Sequence, residues 1–268
     1  MSWYRVITKS VDNMDIQGPN DQIPSRLYKF ISLNDNEKGN SSKFTTLMNN
    51  QVWLSSISEF NDPYECKSMY IDGEWFDNSD FDLAIKRTGK TLLQRIGEDV
   101  AILSLSGNGF DSLPMWAYYT NNYMGFCVEY EVVDPQFLFI VNYSERRIEA
   151  TSSLALFMNY LIGIFEGEKE ENDAFRENAT LLSTQLYRKH ESWKHEKEYR
   201  AIAMVDNVEK GIPVPAEEVG LKIKRIVAVI NCKPEHLERL QEISDALSCG
   251  KVLQARTSKD KFTLFEEA

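Results

Sequence analysis

KHESWKHEKEYRAIAMV, residues 189–205, is the stretch on which the interpretation of this chain depends. Its second half, 199–205, is rich in apolar and aromatic residues that suit a half-buried sheet, so we predict a β-strand there. Its first half is charged and aromatic, which indicates a loop leading into that strand. Glu196 and Glu198 lie at the junction, and two residues at this spacing share one face of an extended chain. The stretch therefore predicts a carboxylate pair at the start of a strand.

A carboxylate pair of this kind has both a functional and a purely structural interpretation. It can bind a cation or two hydroxyl groups, or it can stabilise a developing positive charge. It can equally form a solvated edge on which Lys194, Lys197 and Arg200 neutralise both glutamates, and exposed ion pairs of that sort contribute little to stability. Other parts of the sequence are needed to decide between the functional and the structural interpretation.

Length and charge narrow the class of protein. A chain of 268 residues can bury a sizeable core and fits one large α+β domain. Its net charge of -11 argues against sequence-blind adhesion to nucleic acid or to an anionic membrane. A local basic strip formed by Arg188, Lys189, Lys194 and Lys197 remains compatible with a nucleic-acid partner. The absence of an N-terminal apolar segment and of C-x-x-C spacing leads us to expect a cytoplasmic protein with reduced cysteines.

Periodicity predicts an α+β fold with a mixed, split β-sheet, flanking helices and a C-terminal strand-helix-strand unit. We expect an N-terminal arm over 1–25 and a single domain over 26–268. Within that domain, the pattern changes to helical spacing at about 152–190, which predicts a helical insertion of two helices. The second of these is expected to run from Ala174 to Lys189. Further elements are predicted as strands at 26–31, 52–55, 99–106, 125–130 and 137–143, helices at 44–50, 81–94 and 113–120, and a strand, helix and strand at 221–231, 234–247 and 251–255.

Three short signals could carry chemistry. Tyr28-Lys29 pairs an aromatic residue with a cation on the first strand of the domain, and Ser104-x-Ser106 ends a strand predicted to be buried. The third signal is Glu196-x-Glu198. Cleavage of a glycosidic bond through an oxocarbenium-like transition state needs a carboxylate near the sugar. A cation or backbone donors would assist a diphosphate-bearing substrate.

Each candidate residue also has a structural interpretation. Ser104 and Ser106 can be ordinary small residues at a strand end, and Lys29 can extend its stem along an edge strand. Asn61, in the string Asn61-Asp62-Pro63-Tyr64-Glu65, can belong to a simple turn. Trp116 and Tyr119 share one face of a short predicted helix, where they can pack in the core or form a stacking surface.

Four motifs together resemble a widespread bacterial family, domain of unknown function 2971, whose members resemble components of phage-defence and mobile-element islands. The resemblance covers the chain from about Arg26 to its C-terminus. The motifs are Leu27-Tyr28-Lys29-Phe30, Asn61-Asp62-Pro63-Tyr64-Glu65, Met115-Trp116-Ala117-Tyr118-Tyr119 with Gly125-Phe126, and Lys189 with Trp193, Glu196, Glu198 and Arg200.

The order aromatic-cation, Ser-x-Ser and Glu-x-Glu is also similar to the signature of ADP-ribosyltransferases of the Arg, Ser, Glu type. This resemblance implies NAD as a substrate, with Glu198 holding the nicotinamide ribose and Glu196 orienting the acceptor. Lys29 stands where an Arg or a His would contact NAD, although a lysine lacks the forked donors of arginine. We therefore expect Glu198 and Glu196 to be catalytic, and the NAD-binding residues to be Tyr28, Lys29, Ser104, Ser106, Asn61, Trp116, Tyr119 and Arg200.

These resemblances lead us to expect an NAD-dependent ADP-ribosyltransferase-like or NAD-hydrolysing effector of a bacterial phage-defence or toxin system. Its acceptor would be a protein or a nucleic acid, a regulatory partner or antitoxin would fit such a system, and no membrane partner is expected. Two alternatives stay open. Glu65-Cys66-Lys67 is a Glu-x-Lys string, which with a second acid would suit a metal-dependent nuclease. The second alternative is a non-catalytic sensor or binding module whose carboxylates are structural.

Overall fold

The computed structural model describes residues 4–7, 10–11, 14–15, 23–34, 37–78, 86, 91, 99–206, 208–261 and 264–267. The strands in chain order are β1 Tyr4–Val6, β2 Ser10–Val11, β3 Met14–Asp15, β4 Arg26–Ile31, β5 Gln51–Ser56, β6 Met69–Tyr70, β7 Val100–Ser106, β8 Phe126–Val132, β9 Phe139–Ile140, β10 Asn142–Ser144, β11 Ile148–Glu149, β12 Arg188–His190, β13 Glu198–Val205, β14 Gly211–Pro215, β15 Leu221–Val229, β16 Leu253–Thr257 and β17 Leu264–Glu267. The α-helices are α1 Glu37–Met48, α2 Gly73–Asn78, α3 Leu113–Tyr119, α4 Thr151–Phe165, α5 Asp173–Ser183 and α6 Pro234–Ala246.

One large mixed sheet dominates the described part of the chain. Its main path runs β1, β13, β7, β4, β8, β15, β16 and β17, with β5, β14 and β9 attached beside it. The pairs along this path are antiparallel except for β15 and β16, which are parallel and joined through α6. The predicted α+β class with a mixed sheet is therefore confirmed, and β15, α6 and β16 form the strand-helix-strand unit.

The sheet opens at one edge of β7. Strand β13 pairs along the whole length of one edge of β7. The opposite edge, where the sheet opens, is shared between β4 and β5. β4 contributes a single pair, Tyr28 opposite Ser106, and β5 pairs further along, with Ser55 opposite Ile102. Between these two contacts the ladder on this edge of β7 is interrupted. The interruption leaves room for side chains to enter beside Ser104.

The two faces of β7 and β13 differ in polarity because side chains alternate along a strand. Leu103, Leu105, Ala201 and Ala203 face the main hydrophobic core. On the opposite face, Val100, Ile102 and Ile202 belong to a second apolar cluster. Towards the other end of the strands that second face becomes polar, with Ser104, Ser106, Glu198 and Arg200 at the alternating positions. The polar residues of the key stretch therefore lie directly beside a buried apolar layer.

The helical insertion departs from prediction at its end. Helix α4 matches the first predicted helix, but α5 ends at Ser183, before the predicted Lys189. A 3₁₀ turn over Thr184–Tyr187 follows, and β12 then pairs in parallel with β10. Pairing with a distant strand overrides the local helical pattern of this segment. Lys189 consequently lies on a strand and not on a helix.

Other element boundaries also differ from the sequence expectation. Helix α1 begins at Glu37, earlier than expected. The predicted strand over 137–143 is a 3₁₀ turn at Pro135–Phe137 followed by the short strands β9 and β10. The turn forms because the Asp134 carboxylate accepts the Gln136 N–H at 3.1 Å. The helices predicted over 81–94 lie almost wholly outside the described residues. The described part of the predicted N-terminal arm includes β1, which pairs antiparallel with β13 at the sheet edge.

Within the described ranges, no helix combines the length and the apolar character that crossing a bilayer requires.

Gly125, immediately before β8, packs closely against the end of β4, and substituting it tests that packing. A Cβ at this position would lie 2.0 Å from the carbonyl oxygen of Ile31 and 2.9 Å from Cβ of Thr120. We expect Gly125→Ala to lower the free energy of unfolding by about 2 kcal/mol or more, measured by urea denaturation. Gly39→Ala in α1 is the control, because its Cβ meets nothing within 4 Å, and we expect it to gain about 0.5–1 kcal/mol. A Gly125→Ala variant as stable as the parent would contradict this packing.

Candidate functional site

A partly open cavity of about 280 Å³ lies where the sheet opens beside β7. Its walls come from β4, β7, α3, the turn after β5 and the segment that leads into β13. Eight of the residues predicted as site residues line it: Tyr28, Lys29, Asn61, Ser104, Ser106, Tyr119, Glu196 and Glu198. The structure therefore brings the three sequence signals to one place.

Strand register explains this convergence. Tyr28 on β4 is opposite Ser106 on β7, and Ser106 is opposite Glu198 on β13. Directly paired residues on neighbouring strands have side chains on the same face, so the three form a row across the sheet. Each signal comes from a different part of the chain, and the register aligns them.

Glu198 is buried and held by two cations. Arg200 donates from Nε to Oε1 at 2.8 Å and from Nη2 to Oε2 at 3.1 Å, and the Nζ of Lys189 donates to Oε2 at 3.1 Å. Burial alone raises the pKa of the Glu198 carboxyl, but the charges of Arg200 and Lys189 outweigh it and hold that pKa below its usual range. Its backbone N–H donates to the Tyr143 hydroxyl at 2.8 Å. Glu198 is therefore an ionised carboxylate in a fixed orientation.

Arg200 links Glu198 to a third carboxylate. The guanidinium is fully buried, and its Nη1 lies 2.7 Å from Oε1 of Glu65 and donates to the Leu186 carbonyl at 2.6 Å. Burial lowers the pKa of Arg200, but Glu198 and Glu65 more than offset this and raise it well above the ordinary value. Arg200 does not line the cavity. It binds Glu198 and is separated from the cavity, so the structure does not place it where the sequence prediction of an NAD contact requires.

Lys189 is the second cation of this cluster. Its Nζ lies 2.8 Å from Oε2 of Glu196, 3.1 Å from Oε2 of Glu198 and 3.9 Å from Oε2 of Glu65. The side chain is 4% exposed, and the ammonium lies 4.9 Å from the centre of the Trp193 ring. Burial lowers the pKa of Lys189, and the glutamates overcome that effect and raise it. We call Glu65, Lys189, Glu196, Glu198 and Arg200 the buried ion cluster.

Glu196 is held less tightly than Glu198. Lys189 donates to its Oε2, the Tyr119 hydroxyl donates to its Oε1, and Ser106 Oγ donates to its backbone carbonyl at 2.6 Å. Burial and the neighbouring Glu196 charge raise the pKa of the Tyr119 phenol, so the hydroxyl keeps its proton. A carboxylate has about four acceptor positions. Lys189 and Tyr119 occupy two on Glu196, and Arg200 and Lys189 occupy three on Glu198. The Ser104 side chain also acts on Glu198 and helps to lower its pKa.

The backbone brings the two glutamates together by a different route from the one predicted. Glu196 ends a 3₁₀ helix over Glu191–Glu196, and Lys197 adopts a left-handed conformation with φ of 46°. The segment is therefore not an extended chain with both carboxylates on one face. The left-handed Lys197 changes the direction of the chain between the two glutamates. This backbone conformation costs a non-glycine residue about 1 kcal/mol. The Gly107 N–H donates to the Lys197 carbonyl at 2.8 Å and anchors this turn to β7.

Lys29 closes the opening in the sheet. Its Nζ donates to the backbone carbonyl of Ser104 at 2.9 Å, at the position where the ladder on that edge of β7 is interrupted. Burial lowers the pKa of the Lys29 amine to about 8, although Glu198 and Glu196 act in the opposite direction. A fraction of the amine is therefore neutral at a slightly alkaline pH.

Two further predictions about the site are corrected. Trp116 is fully buried, packs edge-on against Phe30 with ring centres 5.1 Å apart and donates from its indole to the Phe110 carbonyl, so it lies in the core and not on the cavity wall. The basic strip is not formed as predicted, because Lys189 is buried among glutamates while Lys194 is exposed and lies 3.8 Å from Glu191. Arg188 points elsewhere, towards the Arg146 carbonyl at 3.3 Å.

The sequence does not indicate that Glu65 and Lys189 join this ion cluster or that the Tyr143 hydroxyl accepts from the Glu198 backbone. Glu65 lies in the Asn61–Glu65 turn, in which the Asp62 carboxylate accepts the Tyr64 N–H at 2.9 Å. That turn faces the 189–205 stretch in space and supplies the third carboxylate. The available signal was that Glu65 and Lys189 both fall within short charged motifs, but nothing local indicates that they pair.

The cluster has the donor set of an ion-pair network and not of a metal site. Across the described ranges, no group of three or more His, Cys, Asp or Glu side chains could hold a metal ion. Glu65, Glu196 and Glu198 instead face the ammonium of Lys189 and the guanidinium of Arg200. A divalent cation would have to displace one of these charges. The geometry gives the nuclease alternative no support.

Comparison with models of protein families, with curated proteins and with solved structures finds no match to this chain. The resemblances to the 2971 family and to the ADP-ribosyltransferases therefore depend on the motifs, and the ADP-ribosyltransferase-like fold stays a prediction.

Removing one partner of a buried ion pair leaves the others uncompensated, and we expect Glu198→Gln to lower the free energy of unfolding by about 3 kcal/mol at pH 7. Because the Glu198 pKa is depressed, its contribution is present above the ordinary carboxyl range of about 4 and is lost as the pH falls through the lower folded-state value. The stability difference between parent and variant should thus stay constant from about pH 7 to 5 and shrink below about pH 4. Denaturant titrations across this range measure it.

Glu191→Gln is the matched control, because it removes an exposed carboxylate from the same segment. We expect it to change the free energy of unfolding by less than about 0.5 kcal/mol. A Glu198→Gln variant that behaves like Glu191→Gln would show that the cluster does not bind Glu198 as described.

Proposed function

We propose that this protein is an ADP-ribosyltransferase-like enzyme that consumes NAD, either by transferring ADP-ribose or by hydrolysing the glycosidic bond. One observation carries the proposal. Lys29, Ser104 and Glu198, which come from the three signals of the resemblance, line a single cavity. A chance occurrence of the three motifs would not require their side chains to meet.

The size of the cavity fits part of a dinucleotide. Sites for complete small-molecule ligands usually measure roughly 300–1,000 Å³, and this cavity of about 280 Å³ lies just below that range. We therefore propose that it takes the nicotinamide ring and its ribose, with the diphosphate at its open side and the adenosine outside. Tyr28 and Tyr119 on the wall supply aromatic surface for the nicotinamide ring.

Glu198 would stabilise the sugar cation. In the proposed step the bond between the ribose and the nicotinamide nitrogen breaks, and its electron pair neutralises the positively charged ring. The ribose becomes an oxocarbenium ion until water or an acceptor attacks it and gives up a proton. Glu198 is ionised and fixed by Arg200 and Lys189, so its negative charge is already oriented and the site need not reorganise as the oxocarbenium ion forms. In this proposal a ribose hydroxyl donates to the Glu198 carboxylate from the cavity.

Glu196 and Lys29 would assist this step in different ways. Glu196 has two acceptor positions outside its described hydrogen bonds, which suits a residue that orients the incoming water or acceptor. Lys29 would attract the diphosphate, as a cation on the cavity wall beside the interruption in the sheet. As a point charge it would bind phosphate without the bidentate geometry of arginine.

The biological setting is proposed from the resemblance to the 2971 family. It would be a cytoplasmic effector of a bacterial phage-defence or toxin system that acts by abortive infection, with a protein or nucleic-acid acceptor and a regulatory partner or antitoxin. One observation favours a second candidate, a non-catalytic binding module. The buried ion cluster holds three carboxylates against two cations, an arrangement that a purely structural network would also show.

Incubation of the purified protein with NAD separates these two candidates. We expect the parent to release nicotinamide, with and without cell lysate, and Glu198→Gln to reduce the rate by about 10²- to 10³-fold because the charge opposite the oxocarbenium ion is lost. Liquid chromatography of nicotinamide and transfer of labelled ADP-ribose are the measurements. The control is Glu242→Gln, which removes an exposed carboxylate of α6 that pairs with Arg239, and should keep its activity. No nicotinamide release by the folded parent would favour the binding module.

The ionisation of Lys29 gives a second, independent test. With a pKa of about 8, the amine loses its positive charge as the pH rises through that value. We expect the KM for NAD to increase between about pH 7 and 9 in the parent, because the diphosphate loses its cation. In Lys29→Arg the charge persists and the increase should disappear. A KM that rises equally in both proteins would contradict the proposed role of Lys29.

A further inference from the structure

A second cavity of about 280 Å³ lies beside the paired strands β10 and β12. Three arginines line it, Arg146 and Arg147 from the loop after β10 and Arg188 from β12, together with Ser68 and Tyr64. We call these five residues the arginine cleft. None of them belongs to the cavity described above.

The three arginines of the cleft form no ion pair with a carboxylate of the described residues. Within the described part of the chain, none of the three has a carboxylate oxygen within 4.0 Å, although the protein as a whole has a net charge of -11. Backbone carbonyls bind the guanidinium groups of two of them, Arg147 and Arg188. Arg147 donates from Nε to the Lys67 carbonyl at 2.9 Å and from Nη2 to the Met69 carbonyl, and Arg188 donates from Nη2 to the Arg146 carbonyl. The guanidinium groups of Arg147 and Arg188 are thus oriented by neutral partners.

Buried polar atoms in the cleft lack an acceptor. Ser68 is 8% exposed, and its Oγ has no hydrogen-bond partner within the described structure. The Nε of Arg188 is buried and unpartnered in the same way. A buried donor without an acceptor costs about 1–3 kcal/mol. Both atoms have almost no accessible surface, so an oxyanion in the cleft reaches them only after a side-chain rotation, which the new hydrogen bonds would favour.

Tyr64 adds an aromatic surface to the same cleft. Its side chain is 58% exposed, and the Arg147 guanidinium carbon lies 6.0 Å from the centre of its ring. Forked arginine donors match the oxygens of a phosphate, and an exposed aromatic ring beside such donors is a platform on which a base can stack. Phosphate and base together are the chemistry of a nucleotide.

We propose that the arginine cleft binds a nucleotide unit, with its phosphate between Arg188, Arg146 and Ser68 and its base on Tyr64. The nucleotide can be a free mononucleotide or one unit of a single-stranded nucleic acid. Glu145 also lines the cleft and opposes the arginines, so we expect a single phosphate to be held and not a long anionic surface.

Lys189 lines both the cavity that contains the arginine cleft and the cavity beside β7. The nucleotide unit is thereby placed next to the buried ion cluster, where a bound strand would lie close to the proposed oxocarbenium site. The binding itself does not depend on the NAD chemistry. It is measured without NAD, so failure of either proposal can be recognised separately.

Titration of the full chain with three probes tests the proposal: inorganic phosphate, adenosine 5′-monophosphate and a fluorescent 12-nucleotide single strand. We expect Arg188→Gln to weaken the binding of each probe that binds by at least about tenfold, since charge-assisted hydrogen bonds to phosphate are lost. Tyr64→Ala should weaken the nucleotide or the strand by about fivefold or more and leave phosphate unchanged. Arg239→Gln, an exposed arginine of α6, is the control for loss of a positive charge and should change nothing.

The outcomes separate the two sources of the ligand. Binding of the mononucleotide that depends on Arg188 and Tyr64 supports a free nucleotide, and binding of the strand alone with the same dependence supports a nucleic acid. Absence of binding by both, or an equal loss in Arg188→Gln and Arg239→Gln, would overturn the proposal. Circular dichroism of each variant confirms that the chain remains folded.

Discussion

The buried ion cluster is the interaction on which the rest of this structure depends. Arg200 and Lys189 stand against Glu65, Glu196 and Glu198, with almost no exposure to solvent. Charges removed from water are costly unless they are paired and hydrogen-bonded, and removing one partner leaves the others uncompensated. The cluster therefore ties β12, the segment before β13 and the turn after β5 to one another. Its geometry decides where the cavity lies and which carboxylates reach it.

The same cluster connects stability to function. Glu198 is ionised because two cations surround it, and its orientation is fixed because Arg200 binds it through two nitrogens. A preorganised negative charge beside a cavity is what stabilisation of a sugar cation requires. Lys29 lies at the opening of the sheet, where it satisfies the free carbonyl of Ser104 and brings a positive charge to the wall. The residues that stabilise this region are therefore the same ones to which the proposed function assigns catalysis, and measurements of activity are needed to separate the two roles.

Local pattern predicted much of the sheet, and long-range pairing decided the remainder. The strands at 100–106 and 198–205 follow from their apolar content, and the convergence of Lys29, Ser104 and Glu198 was expected from the motifs. The end of the second insertion helix could not be predicted, because β12 forms only by pairing with β10. The left-handed Lys197 and the pairing of Lys189 with three glutamates likewise depend on contacts between distant segments. Trp116 carries a helical pattern that is compatible with either the core or the cavity, and packing against Phe30 settles it.

The central claim is that the cavity beside β7 binds the nicotinamide end of NAD between Lys29 and Glu198. A crystal structure of the protein with a non-hydrolysable NAD analogue tests this claim most directly. We expect the nicotinamide ribose inside that cavity, with a ribose hydroxyl within hydrogen-bonding distance of Glu198 and the diphosphate near Lys29. An analogue bound elsewhere on the protein, or a cavity that stays empty at a saturating concentration of the analogue, would contradict it.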